Sequence, residues 1–122
     1  MKKILVIEDE EILQQAYKDK LERNGFQVVS AYTGEEGIQK AETENPDLII
    51  LDIILSGHLT GEDVLKQIKQ NSKHSGIPIL MMTNLDNKLN QFYELGATWY
   101  FVKANTALDT VVKKIKEILK IS

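Results

Sequence analysis

The sequence predicts an α/β fold, a five-stranded parallel sheet wrapped on both faces by helices. Two observations carry this. Short apolar runs alternate in a regular way with segments whose apolar residues recur at helical spacing. The third run, Asp47–Leu51, is apolar almost throughout, as expected of a strand covered on both faces. Strand and helix in strict alternation give parallel strands joined by right-handed crossovers.

Lys3–Ile7 reads as a buried strand. Ile12, Leu13, Ala16, Tyr17 and Leu21 then mark a helix that runs to Asn24-Gly25, a pair suited to a helix end and its left-handed cap. Phe26–Ala31 is the second strand. Thr33 caps the next helix, with Glu35 and Glu36 in the first turn, where the dipole favours acids. That helix carries Ile38 and Ala41 and is over by Pro46. After the third strand, a glycine-containing loop from Ser56 to Gly61 leads to a helix bearing Val64, Leu65 and Ile68. Ile77–Met82 is the fourth strand, followed by a helix near Asn87–Leu95 that Gly96 terminates. Trp99–Val102 is the fifth strand. Thr106–Leu119 forms a last helix, burying Leu108, Val111, Val112, Ile115, Ile118 and Leu119, with Lys113, Lys114, Lys116 and Lys120 late in it. No repeat or linker interrupts the pattern, so residues 1–122 read as a single domain.

The bulk composition narrows the function. With 122 residues, 43% hydrophobic and 27% charged, the chain suits a soluble globule with a proper core. There is no cysteine, hence no disulfide, thiolate nucleophile or sulfur-ligated metal, which fits a cytoplasmic location. Lys2 and Lys3 before an apolar run imitate a secretory signal, but Glu8 and Asp9 cut the run short. No apolar stretch is long enough to span a bilayer. A net charge of −3 argues against direct DNA binding.

One stretch stands out, PDLIILDIILSGHLTG, in which Asp52 lies among Leu48, Ile49, Ile50, Leu51, Ile53, Ile54 and Leu55. Burying an ionised carboxylate is costly unless it is paired or binds a metal, so Asp52 needs a use for its charge. In open α/β sheets, functional groups collect beyond the carboxyl ends of the strands. Those ends carry Glu8 and Asp9 on the first strand, Asp52 on the third, Thr83 on the fourth and Lys103 on the fifth. Three crowded carboxylates are relieved most simply by a hard divalent cation, here Mg2+, and a lysine offsets the remaining charge. Such a site holds a phosphoryl group, with Asp52 as the natural nucleophile on its rigid strand. Any one of these residues alone has an ordinary explanation. Glu8 and Asp9 could cap a helix, Lys103 could be a solvated charge, and Tyr100 could be plain packing. His58 and His74 lie in loops without ligand-like spacing and read as surface residues.

With IEDE on the first strand, PDLIILD on the third, Thr83 after the fourth and YFVK on the fifth, the chain resembles the receiver domain of two-component response regulators, as in stand-alone chemotaxis regulators. The resemblance covers Lys2 to Leu119. It implies a flavodoxin-like doubly wound (βα)5 sandwich with strand order 2-1-3-4-5. It further implies transfer of a phosphoryl group from a histidine kinase, a phosphotransfer protein or a small donor such as acetyl phosphate to Asp52. Glu8, Asp9, Asp52 and the backbone carbonyl of Ile54 would then hold Mg2+. Lys103 would contact the acyl phosphate, and Thr83 and Tyr100 would act as a coupled switch. The signalling surface would comprise the helix near Asn87–Leu95, the strand Trp99–Val102 and the last helix, and would control a downstream protein. The chain would be a phosphoacceptor and not a turnover enzyme. Four positions depart from the family pattern. Glu8 replaces an aspartate, Ser56 a proline in a loop one residue longer than usual, Asn84 a small residue, and Ala104 a proline whose preceding peptide is commonly cis.

Three rivals fit less well. A haloacid-dehalogenase-type phosphatase needs a second acid two residues after Asp52, where Ile54 stands. A flavodoxin needs a phosphate-binding loop after the first strand, where Glu8-Asp9-Glu10-Glu11 would repel phosphate. A pseudo-receiver, a phosphorylation-independent interaction module, has no need of so complete a site. No helix-turn-helix or enzymatic segment follows Ile121-Ser122, so a stand-alone receiver is the simplest expectation, and a domain excised from a longer regulator would give the same sequence. ELGATWYFVK lacks the charges of receivers that dimerise through this face, so a monomer is expected.

Overall fold

In the computed structural model, which describes residues 1–55, 57–71, 73–84, 93–103 and 106–121, five strands pair in parallel in the order β2-β1-β3-β4-β5. They are β1 (Lys3–Ile7), β2 (Gln27–Ala31), β3 (Leu48–Asp52), β4 (Ile79–Thr83) and β5 (Trp99–Val102). The long helices among the described residues are α1 (Glu11–Arg23), α2 (Gly34–Glu44), α3 (Gly61–Gln70) and α4 (Leu108–Ile118). The flavodoxin-like order expected from the sequence is the order observed. Of the helix expected near Asn87–Leu95, residues 87–92 lie outside the described residues. Tyr93 and Glu94 are helical, and Gly96 at φ 108° ends that turn as expected.

The sheet divides the core into two layers. Leu5, Ile7, Ile49, Leu51, Ile79 and Met81 point to one face and pack with Ala41 of α2 and Val64, Leu65 and Ile68 of α3. Alternation sends Ile4, Val6, Leu48, Ile50, Leu80 and Met82 to the other face, against Tyr17 and Leu21 of α1 and Val111, Val112 and Ile115 of α4. Every residue of β3 and β4 is buried, which accounts for their nearly unbroken apolar sequence.

Local chemistry sets the boundaries. Thr33 accepts from the Glu36 N–H at the start of α2, as expected. Thr60 and Asp63 form a reciprocal capping box at the start of α3. Strand β4 begins at Ile79 and not Ile77, because the Ile77 N–H is used in a turn to the His74 carbonyl and Pro78 has no N–H to offer. The last helix starts at Leu108 and not Thr106, whose hydroxyl donates instead to the Val102 carbonyl at 2.8 Å.

Two side-chain expectations are corrected. Ile12, expected on the buried stripe of α1, is 83% exposed, while Gln14 is buried. His74, expected at the surface, is buried, because the turn after α3 folds inward through His74 N–H to Asn71 and Ile77 N–H to His74. His58 is exposed, as expected. No described helix is long and apolar enough to cross a membrane.

Candidate functional site

The strand register builds the site. Ile7 pairs with Leu51, so Glu8 leaves β1 at the level of Asp52, and Asp52 pairs with Met82 on β4. Met82 pairs with Phe101, and Lys103 follows two residues later. The pleat therefore sends Glu8, Asp52 and Lys103 toward the α1/α4 side. Carboxylate oxygens of Glu8, Asp9 and Asp52 lie within 4.8 Å of one another. The Lys103 ammonium donates to Glu8 Oε1 at 2.8 Å and to Asp52 Oδ2 at 2.7 Å.

The remaining oxygens are also held. Asp52 Oδ1 accepts from the Ile54 N–H at 3.1 Å, and Glu8 Oε2 accepts from the Glu10 N–H at 3.0 Å. Glu8 and Asp52 are both buried and Asp9 half-buried. A buried carboxylate bound this way is locked in direction as well as in place.

Charge is not balanced by these partners alone. Fully ionised, the three acids carry three negative charges against one ammonium, which leaves two. Burial pushes the Glu8 carboxyl up to about 7, against the hydrogen bonds from Lys103 and the Glu10 N–H, and the neighbouring Asp52 charge adds to the rise. Burial alone would depress the Lys103 ammonium, but its hydrogen bonds to Asp52 and Glu8 hold it above its ordinary value. An all-oxygen donor set with excess negative charge matches a hard divalent cation and no softer metal.

Thr83 and Tyr100 belong to a different part of the sheet. Thr83 ends β4, wholly buried, one residue beyond the strand partner of Asp52. Tyr100 pairs with Met81 and packs on the α2/α3 layer, its ring meeting Tyr93 edge-on at 5.6 Å. Lys103, Glu8, Asp9 and Asp52 thus converge, whereas Tyr100 stands away from the acids on the opposite face. Ile54 reaches the site through its backbone, its side chain 56% exposed. Ser56 and Ala104, two of the departures from the family pattern, lie outside the described residues.

Sequence reasoning missed two features. A cavity of about 360 Å³ opens between α1 and α4 beside Lys103, lined in part by Leu13, Tyr17, Met82, Asn84 and Leu108. Burial there pushes the Tyr17 phenol up to about 12, so it stays protonated. The second is Gln14, whose side-chain amide donates to the carbonyls of Val6, Glu8 and Ala31. Its signal was available, since position 14 is in phase with Tyr17 and Leu21 on the buried stripe of α1.

Comparison with known proteins places this geometry. The profile of the response regulator receiver domain matches residues 4–116. The alkaline phosphatase synthesis transcriptional regulatory protein PhoP of Bacillus subtilis is 42% identical over 121 residues, 98% of this chain and 49% of that protein. Protein PilH of Pseudomonas aeruginosa is 29% identical over 121 residues, 98% of each. The chain thus spans about half the length of the first relative and nearly all of the second. The response regulator protein TrrA of Thermotoga maritima, in a structure with Mg2+–BeF, matches with a TM-score of 0.85 and 30% identity over 97% of this chain and 99% of that one.

Proposed function

The chain belongs to the response regulator receiver domain family, a signalling family of two-component systems, and on that footing we propose that Asp52 is its phosphoacceptor. A carboxylate oxygen of Asp52 attacks phosphorus, the N–P bond of a phosphohistidine donor breaks, and the imidazole leaves with the electron pair and takes up a proton from solvent. The donor is a sensor histidine kinase, a phosphotransfer protein or, in the test tube, acetyl phosphate. Glu8, Asp9, Asp52 and the Ile54 carbonyl would hold Mg2+. When bound, the cation supplies positive charge to the phosphoryl oxygens.

The chain's own residues do the rest. Rigid strand β3 fixes the nucleophile, and the Ile54 N–H orients its carboxylate. Lys103, already 2.7 Å from Asp52, neutralises charge on the transferred group. Thr83 and Tyr100 carry the change from β4 to a surface of β5, α4 and the helix expected near Asn87–Leu95, which controls a downstream protein. In this reading residues 1–122 form one domain that acts as a cytoplasmic monomer, catalyses only its own phosphorylation and dephosphorylation, and does not itself bind DNA or membrane.

A single observation supports the reading most strongly. A buried aspartate at a strand end, bonded to one lysine and within 4.8 Å of two further acids, has no structural use that an apolar residue would not serve better. The test is intact mass after incubation with acetyl phosphate and Mg2+. A gain of one phosphoryl group is expected, lost in Asp52→Ala and with a chelator. No gain, together with no binding of Mg2+ or beryllofluoride, would overturn the reading in favour of a phosphorylation-independent interaction module.

A further inference from the structure

Gln14 is buried, with 2% of its surface exposed, on a helix face otherwise filled by Tyr17 and Leu21. Its Nε2 lies 2.9 Å from the Val6 carbonyl, 3.0 Å from that of Glu8 and 2.8 Å from that of Ala31. A flipped amide would set an oxygen against three oxygens, so the donor orientation is fixed. Among the described residues Oε1 has no hydrogen-bond partner. An orphaned buried acceptor is destabilising, so a leucine here would be simpler unless the amide serves some purpose.

The purpose follows from where the three carbonyls lie. Strand β1 makes its last ladder bond through the Glu8 N–H to the Ala31 carbonyl, and α1 begins at Glu11. Only Glu8, Asp9 and Glu10 connect them, and two of these carry carboxylates of the acid cluster. The Glu8 carbonyl belongs to the peptide unit shared with Asp9. Holding it fixes the rotation that aims the Asp9 side chain relative to Glu8. Gln14 grips this carbonyl with its side chain while its own N–H donates to the Glu10 carbonyl at 3.0 Å, so the connection is tied at both ends. Like charges at this range repel, and an untied connection would relax by turning Asp9 away.

We propose that Gln14 is a positioning residue for the metal-binding acids, its amide clamping the Glu8–Asp9 peptide so that both carboxylates face Asp52 before any cation arrives. This rests on the receiver reading of the site. Loss of groups that orient metal ligands typically weakens metal affinity about 10- to 100-fold, which sets the expectation.

The experiment is a calorimetric Mg2+ titration of the full chain and of Gln14→Met, which keeps the volume and removes the donors. The expected result is a Kd for Mg2+ at least about 10-fold weaker in the folded variant. A Kd within twofold of wild type, with only Tm lowered, would mean that Gln14 merely holds β1 to β2 and would overturn the proposal. If Gln14→Met does not fold, Gln14→Asn, which shortens the amide, takes its place under the same criterion. A third readout needs no variant. In wild type the Gln14 side-chain amide resonances should shift along the same Mg2+ saturation curve as the Asp9 backbone amide, and resonances that stay still would overturn the clamp. Failure of the wild-type chain to bind Mg2+ at all would instead remove the receiver reading, and the clamp with it.

Discussion

The acid cluster and the β5 edge treat their polar groups in opposite ways. At the ends of β1 and β3, Glu8 and Asp52 are buried and bonded to Lys103 and to backbone N–H groups, and a further side chain clamps the connecting peptide. At β5 the residues are exposed or half-buried, Trp99 is 38% exposed, and the side-chain contacts include a ring edge between Tyr93 and Tyr100 and the Lys114 ammonium 3.9 Å from the centre of the Trp99 ring. Transfer chemistry needs groups held to within a fraction of an ångström. A surface that reports a change needs packings that differ by only a few kcal/mol. On the proposed reading each region has the contacts its task would require, and the contrast implies a steep gradient in what substitutions do.

The largest effect is expected at Lys103. Lys103→Met leaves two buried carboxylates facing each other without their ammonium, and breaking a buried pair typically destabilises by about 3–5 kcal/mol. Urea denaturation with and without Mg2+ measures it. The metal-free variant should lose that stability, and Mg2+ should raise its midpoint more than it raises that of wild type. A loss below about 1 kcal/mol would place the acids in water and erase the contrast with β5.

Next is Gly61, where a Cβ would lie 2.5 Å from the Asp52 carbonyl oxygen and 2.5 Å from the Ile53 Cα. Both are backbone atoms of the strand end that carries Asp52, so no flexible side chain can yield. Gly61→Ala should destabilise by about 1–3 kcal/mol and should slow phosphorylation by acetyl phosphate beyond what the fraction unfolded explains. An unchanged rate in the folded fraction would show that this end of β3 is less rigid than its packing implies.

The third effect is one of pH. An acid whose folded pKa is raised adds stability only where it is protonated. Glu8 therefore contributes fully below its ordinary value of 4.5, and the contribution is lost as pH rises through about 7. On the proposed reading, Mg2+ held by Glu8 would have to displace that proton. Its affinity should fall as pH is lowered below about 7, with a limiting slope of about tenfold per pH unit. In Glu8→Gln the dependence should flatten over this range. A wild-type affinity independent of pH between 5.5 and about 7 would contradict the burial of Glu8.

The same contrast explains what was legible in the sequence. Strands β1, β3 and β4 could be read because full burial leaves long apolar runs, and strand ends with Glu8, Asp9, Asp52 and Lys103 follow from parallel topology. What stayed hidden was polar and buried. Gln14 was passed over although it is in phase with Tyr17 and Leu21, and Ile12 was placed on the stripe instead, because side-chain type alone cannot tell a hydrogen-bonded amide from a solvated one. His74 was misplaced for a related reason, since the inward turn that buries it is made by backbone hydrogen bonds that leave no side-chain pattern. The boundary at Ile79 was blurred by Ile77, an apolar residue that continues the run while its N–H serves the turn.

The smallest effect is expected at Lys114. Its ammonium lies over the Trp99 ring, and its carboxylate neighbour Glu117 is 3.5 Å away and exposed. An exposed cation–π contact contributes about 0.5–1 kcal/mol, and an exposed ion pair less. Lys114→Ala should therefore shift the urea midpoint only slightly and leave Mg2+ affinity and the phosphorylation rate at wild-type values. Its mark should appear in the fluorescence of Trp99, the one tryptophan in the chain, which loses a cation from its ring face. Phosphorylation should then change that fluorescence by a different amount in the variant than in wild type, if β5 and α4 repack together. An identical change in both proteins would separate the Trp99–Lys114 contact from the switch and confine the response to the Tyr100 side of the strand.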